Sequence, residues 1–217
     1  MQLPYFPECS HDLIRPLFRY SDQDLVTLCQ RHPEAGRYFA ALFCRYGQVV
    51  YTLISSAVRS PVQADYLFAK TWRHIQSELM GLDLRAMKGL TLQSWLINLT
   101  AVMINRVELP PVEAIHYSLT DASPPLWCYL QQAMDQLPGD LRLILLLAET
   151  FRWSEARITA YLQAEGEAVS PTEVRQRLSL AHEQLMVALP EDIQTLYLAR
   201  RQTAVEPVVE MAHPGLE

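Results

Sequence analysis

Apolar residues in this chain recur at helical spacing in one segment after another, and nowhere do they alternate in the two-residue rhythm of a strand. The run Phe39, Leu42, Phe43, Tyr46, Val49/Val50, Leu53, Ile54 keeps one face apolar to about Val58. A second stripe follows Ser60-Pro61 through Ala64, Leu67/Phe68, Trp72 and Ile75, with proline at the first helical position. A third spans Thr91–Arg106, with Leu92, Trp95/Leu96, Leu99 and Val102/Met103 facing inward. Glycine is scarce, at 7 of 217 residues, so the turn-rich scaffolding of a β sandwich is missing. The expectation is an all-α fold.

Punctuation divides the helices into groups. Ser21-Asp22-Gln23-Asp24 resembles a capping box ahead of Leu25, Val26 and Leu28, and residues 1–20 precede it as an N-terminal extension. Helical period fails between Val107 and Pro125, where two Pro-Pro pairs bracket an acidic stretch. Helical signals then resume at Leu126–Gln136, Pro138–Thr150, Ser154–Gln163 and Ser170–Leu189. Ser170-Pro171-Thr172-Glu173 is the best local signature: serine at the N-cap, proline at N1, glutamate at N3. The organisation expected is a helical unit over 21–106, a Pro-rich acidic linker over 107–125 and a second helical unit over 126–190. Residues 191–217 form a C-terminal extension that ends in an acidic tail.

Charge is uneven. Residues 1–107 carry 11 basic and 8 acidic side chains, whereas 108–217 carry 7 basic and 16 acidic ones. An acidic half disfavours indiscriminate DNA binding, which depends on Lys and Arg neutralising phosphates. Apolar runs such as Leu143–Ala148 fall far short of the ~20 residues a membrane span needs. The first residues lack the basic start and apolar stretch of a secretory signal, so a cytoplasmic location is expected. Cys9, Cys29, Cys44 and Cys128 are scattered without metal-ligand spacing and read as reduced or buried thiols, with no metal and no cofactor. No P-loop, G-x-S-x-G or H-E-x-x-H motif is present, so an enzyme is not expected.

The second half, with Leu137-Pro138, Arg142, Ile144 to Leu147, Trp153-Ser154, Ile158, Leu162, Ser170, Val174, Arg177-Leu178 and Leu185, resembles region 4 of bacterial sigma factors. The first half resembles region 2 through Asp24-Leu25, Phe39, Leu42, Tyr46, Val50-Tyr51, Ser60-Pro61, Ala64-Asp65, Trp72 and Leu92-x-x-Trp95-Leu96 with Leu99. Without a region 3 between them, the two halves look like the small extracytoplasmic-function class. The resemblance implies a helix-turn-helix in the second unit, with 154–163 bracing and 170–189 reading the −35 element. Ser170, Thr172, Glu173, Arg175, Gln176 and Arg177 would then face DNA, with Val174, Leu178, Ala181 and Leu185 turned inward. It implies −10 contacts from Arg85, Lys88, Ser94, Asn98, Asn105 and Arg106, and docking on the polymerase through Asp65, Lys70 and Arg73. Trp95 shares a stripe with Leu92, Leu99 and Val102, which favours core packing over stacking on a base. Implied partners are core RNA polymerase, promoter DNA and an anti-sigma factor, with no membrane. Only Arg106 is charged along 91–106, and Gln163–Val169 inserts two glutamates beside the DNA face. A second reading therefore stands beside the first: a sigma-like protein-interaction module that docks without reading DNA.

Overall fold

A computed structural model describes residues 4–86 and 89–198. Among these residues all regular structure is helical, with no strand, and no helix is long and apolar enough to cross a membrane. Two short 3-10 turns, Pro7–Ser10 and Arg15–Arg19, open the chain. Then come α1 (Asp22–Arg31), α2 (Arg37–Ala57), α3 (Pro61–Leu79) and α4 (Leu92–Arg106). After a stretch that holds only the 3-10 turn Val112–Ala114 follow α5 (Pro124–Gln136), α6 (Gly139–Leu145), α7 (Glu155–Ala164), α8 (Pro171–Ala188) and α9 (Glu191–Tyr197). The starts obey local chemistry. Ser21 and Asp24 form the reciprocal capping box of α1, and Ser60, Thr91 and Ser154 each accept a backbone N–H at the start of α3, α4 and α7.

The central helix is α2, whose apolar face meets α1, α3 and α4. Trp72 of α3 is fully buried, and the rings of Phe39, Phe43 and Phe68 stand edge-on to it at 5.8, 5.1 and 6.4 Å. This core does not stop at residue 106. Cys128, Tyr129 and Ala133 of α5 and Ile193 and Leu196 of α9 belong to the same buried cluster, together with Leu119 from the stretch before α5. Arg73 on α3 holds α5 from outside, bonding to Gln131 at 3.0 Å and Asp135 at 2.8 Å. The expected linker thus lies against the core: Val107, Leu109, Tyr117 and Ala122 pack on it, and Gln63 donates to the Pro110 carbonyl at 2.9 Å. These contacts pin parts of 107–125 to the core, whereas Pro111–Ala114 stay exposed, so the stretch is not a free linker.

The rest of the second half carries two smaller clusters. One joins Ile144, Leu147, Ile158, Leu162, Val169 and Val174; the other joins Leu137, Leu141, Leu145 and Ala181. The helix expected over 138–150 is divided: α6 ends at Leu145, and Leu146–Thr150 widens into a π turn. Arg152 follows at φ +55°, a left-handed conformation rarely taken by a residue with a side chain.

Helix α2 begins with help from the far end of the chain. The Asp192 carboxylate accepts the Gly36 N–H at 3.0 Å and the Arg37 N–H at 2.9 Å. Two of the orphan donors of the α2 N-terminus are thereby satisfied from α9. Gly36 has no Cβ because there is no room for one: it would collide with Ile193 and with the Tyr129 ring.

The expectation for the cysteines is corrected too. Cys9 and Cys44 form a disulfide, their Cα atoms 5.4 Å apart, because the first 3-10 turn lies directly on α2. Cys29 and Cys128 are free and buried, as expected, and burial pushes the Cys29 thiol up to about 12. Two predictions follow from these ties. Unfolded without reductant, the chain presents two thiols to Ellman's reagent, and four after reduction. Asp192→Ala costs about 1–2 kcal/mol, and Gly36→Ala about 1–3 kcal/mol through overpacking. Each lowers the thermal midpoint by several degrees in a scanning calorimeter.

Candidate functional site

The helix pair α7–α8 holds the densest group of expected site residues. Its inner face is apolar: Val174 and Ala181 are fully buried, and Leu178 and Leu185 pack beside them. That stripe fixes the rotation of α8, so Thr172, Arg175 and Gln176 emerge on the outer face near its start. Ser170 caps the helix: its Oγ accepts the Glu173 N–H, and the Glu173 carboxylate takes the Ser170 N–H at 2.7 Å. Those backbone and hydroxyl bonds hold the Glu173 carboxyl below the usual carboxylate range. Ser170 and Glu173 are consumed in starting the helix, so they serve the face indirectly.

Both arginines of the face are engaged by acids. Arg175 grips Glu155 at the start of α7 bidentately, with Nε 3.0 Å from Oε1 and Nη2 2.7 Å from Oε2. Arg177 donates to Glu167 at 3.0 Å, across the turn between the helices. Fork-on-carboxylate geometry is the same geometry with which arginine reads a guanine edge. The hydrogen bond from Arg175 holds the Glu155 carboxyl below its ordinary range and raises the arginine. Charge on the face is thus compensated locally, and its pull on distant phosphates is small. Exposed ion pairs exchange readily, however, so a phosphate or base edge can replace the carboxylate with little loss. Around the same end, Glu149 meets Arg152 and His182, and Arg157 lies 4.1 Å above the Trp153 ring.

On α4, Asn98 and Asn105 are exposed and share a face with half-buried Ser94, whose Oγ lies 2.9 Å from Thr91 Oγ1. Asn105 turns its amide back to the Ala101 carbonyl, and Arg106 is exposed in the last turn. Trp95 packs against the core, whereas Val102, expected inward with it, is 41% exposed, and Met103 takes the buried position instead. Arg85 is exposed in the loop before α4, where its backbone N–H donates to Asp83 at 2.9 Å. Lys88 lies outside the described residues.

The three residues expected to dock on polymerase do not share a free face. Asp65 accepts the Tyr51 hydroxyl at 2.8 Å, and burial raises its carboxyl above the ordinary value. Arg73 is spent on α5 instead, and Lys70, between them in sequence, is half-buried. The partners Glu155 and Glu167 carried no site signal of their own. Only the acidic character of the 163–169 turn pointed toward one of them.

No family model matches this chain, and no curated protein is similar to it.

A titration isolates the Glu155–Arg175 pair. A carboxyl whose folded pKa is depressed stays ionised as the pH falls through the ordinary range, and the pair opens only below it. In carboxyl-detected NMR, Glu155 therefore titrates below the ordinary glutamate range. In Arg175→Ala it returns to that range while the backbone shifts of the Val174–Ala181 core remain in place.

Proposed function

We propose that the chain is a sigma-type factor, which binds core RNA polymerase and directs it to promoters. In this reading α7 braces a helix-turn-helix, α8 enters the major groove at the −35 element, and the outer face of α4 with Arg85 serves the −10 element. The protein supplies positioning, and polymerase carries out the chemistry. The observation that carries the reading is the start of α8. A reciprocal cap fixes the first turn, a buried stripe fixes the rotation, and Arg175 and Gln176 stand exposed just beyond it. These two residue types make bidentate contacts with guanine and adenine edges.

A second reading is favoured by a different observation. Each arginine of the face holds a glutamate, and Arg73 is spent on α5. A module that docks on polymerase or a regulator without reading DNA has no need of free arginines there.

Run-off transcription with core polymerase on genomic fragments, followed by footprinting, separates the two. If α8 reads bases, Arg175→Ala weakens the cognate promoter roughly 5- to 150-fold and relaxes preference at one or two −35 positions. Glu155→Gln, which releases Arg175, then tightens DNA binding and steepens its salt dependence. In the docking reading, the chain still comigrates with core polymerase and transcription is indifferent to both substitutions. Failure to form a complex with core polymerase at micromolar concentration overturns both.

A further inference from the structure

A separate concave site uses none of the α7–α8 residues. Residues Pro4–Glu8, the Leu119–Ser123 stretch and the end of α9 enclose a cleft of about 370 Å³. That volume falls in the range of small-ligand pockets. Tyr5, Phe6 and Tyr197 give it aromatic walls, and Glu8 and Asp121 give it two carboxylates. No Lys, Arg or His lines it among the described residues.

Two groups in this wall are poorly provided for. Glu8 is only 3% exposed, yet its carboxylate receives one hydrogen bond there, from the Tyr197 hydroxyl at 3.2 Å. Burial, with Glu8 alongside, holds the Tyr197 phenol well above its ordinary pKa, so it remains a neutral donor. Ser123 is 8% exposed, and its Oγ, which lies beside the Tyr197 hydroxyl, makes no hydrogen bond of full geometry among the described residues. A buried carboxyl with one hydrogen bond and a buried hydroxyl with none of full geometry leave hydrogen-bonding capacity unused in this wall.

One class of ligand answers both. An ammonium group carries positive charge and three donors with no acceptor, which suits a carboxylate and a hydroxyl oxygen together. Aromatic faces add attraction for the same charge. We propose that this cleft binds a primary organic ammonium, its head on Glu8 and Ser123 and its alkyl chain along Phe6, Leu126 and Leu196. The chemistry is shared by a free diamine and by a lysine side chain. The site is independent of the transcriptional reading above, and its test needs neither polymerase nor DNA.

The experiment is calorimetric titration of the full chain with pentylammonium, cadaverine, Nα-acetyl-lysine methylamide and, as neutral control, 1-pentanol. The amines bind saturably and 1-pentanol at least about tenfold more weakly, the factor expected when a charge-assisted contact is lost. Glu8→Gln weakens the amines by about tenfold or more, and Ser123→Ala weakens them several-fold, with folding checked by circular dichroism. Equal binding of cadaverine and the capped lysine supports the site and assigns a lysine side chain; binding of cadaverine alone supports it and assigns a free diamine. The proposal is overturned if no amine gives saturable heat up to about 10 mM, if 1-pentanol binds as well, or if Ser123→Ala binds like the native chain. The control alcohol and Ser123→Ala keep the test decisive even where Glu8→Gln does not fold.

Discussion

The carboxylate of Asp192 sits across the first two amides of α2, and much of the molecule depends on that seat. A 21-residue helix at the centre of a core needs its N-terminal donors satisfied, and no local side chain caps this one. Supplying the cap from α9 draws Ile193 and Leu196 into the same core. It also brings Tyr197 to Glu8, so the first turn of the chain is held between α2 and α9. Gly36 is the concession that makes room, since any side chain there would displace Ile193. Charge, burial and the absence of one methyl group act together at this junction. The aromatic cluster around Trp72 belongs to the same core.

Sequence reasoning succeeds here where the cause is local. The capping boxes at Ser21 and Ser170, the proline at Pro61 and the cap at Thr91 each place a helix start within a residue of its position. The inward stripe of α8 is legible for the same reason, because 3.6-residue spacing is written into the chain. Features set by distant partners are not legible. Nothing near Cys9 announces Cys44, and nothing near Asp192 announces Gly36, 156 residues away. The Pro-Pro stretch shows why composition misleads. It lacks helical period and carries acids, yet Leu119 is buried in the core and Tyr117 and Ala122 pack against it. Loss of period marks the absence of a helix and says nothing of exposure. The division of 138–150 has a similar origin, since the apolar run through Leu147 continues while the backbone widens beneath it.

The candidate face on α8 is legible as a set of positions and illegible as a charge state. Spacing places Arg175 and Gln176 outward, and they are outward. Spacing cannot say that Glu155, twenty residues earlier, comes within 2.7 Å of Arg175. That pairing decides how the face behaves at a distance, because a neutralised arginine attracts phosphates weakly until contact allows exchange. On α3, Asp65 and Arg73 look like surface charges in one dimension. In three, each is committed to a different neighbouring helix.

The long-range cap also orders events in time. A ribosome releases Gly36 and Arg37 long before Asp192, and at about 5–20 residues per second the interval is roughly 8 to 30 s. Throughout it, α2 has its amides open to water and the hollow above Gly36 is vacant. A central helix formed against α1, α3 and α4 before α9 emerged would lack this cap, and only the arrival of α9 could close it. Quality control that senses an open helix start and an empty apolar hollow would find both on a chain halted before residue 191, and neither on the finished one.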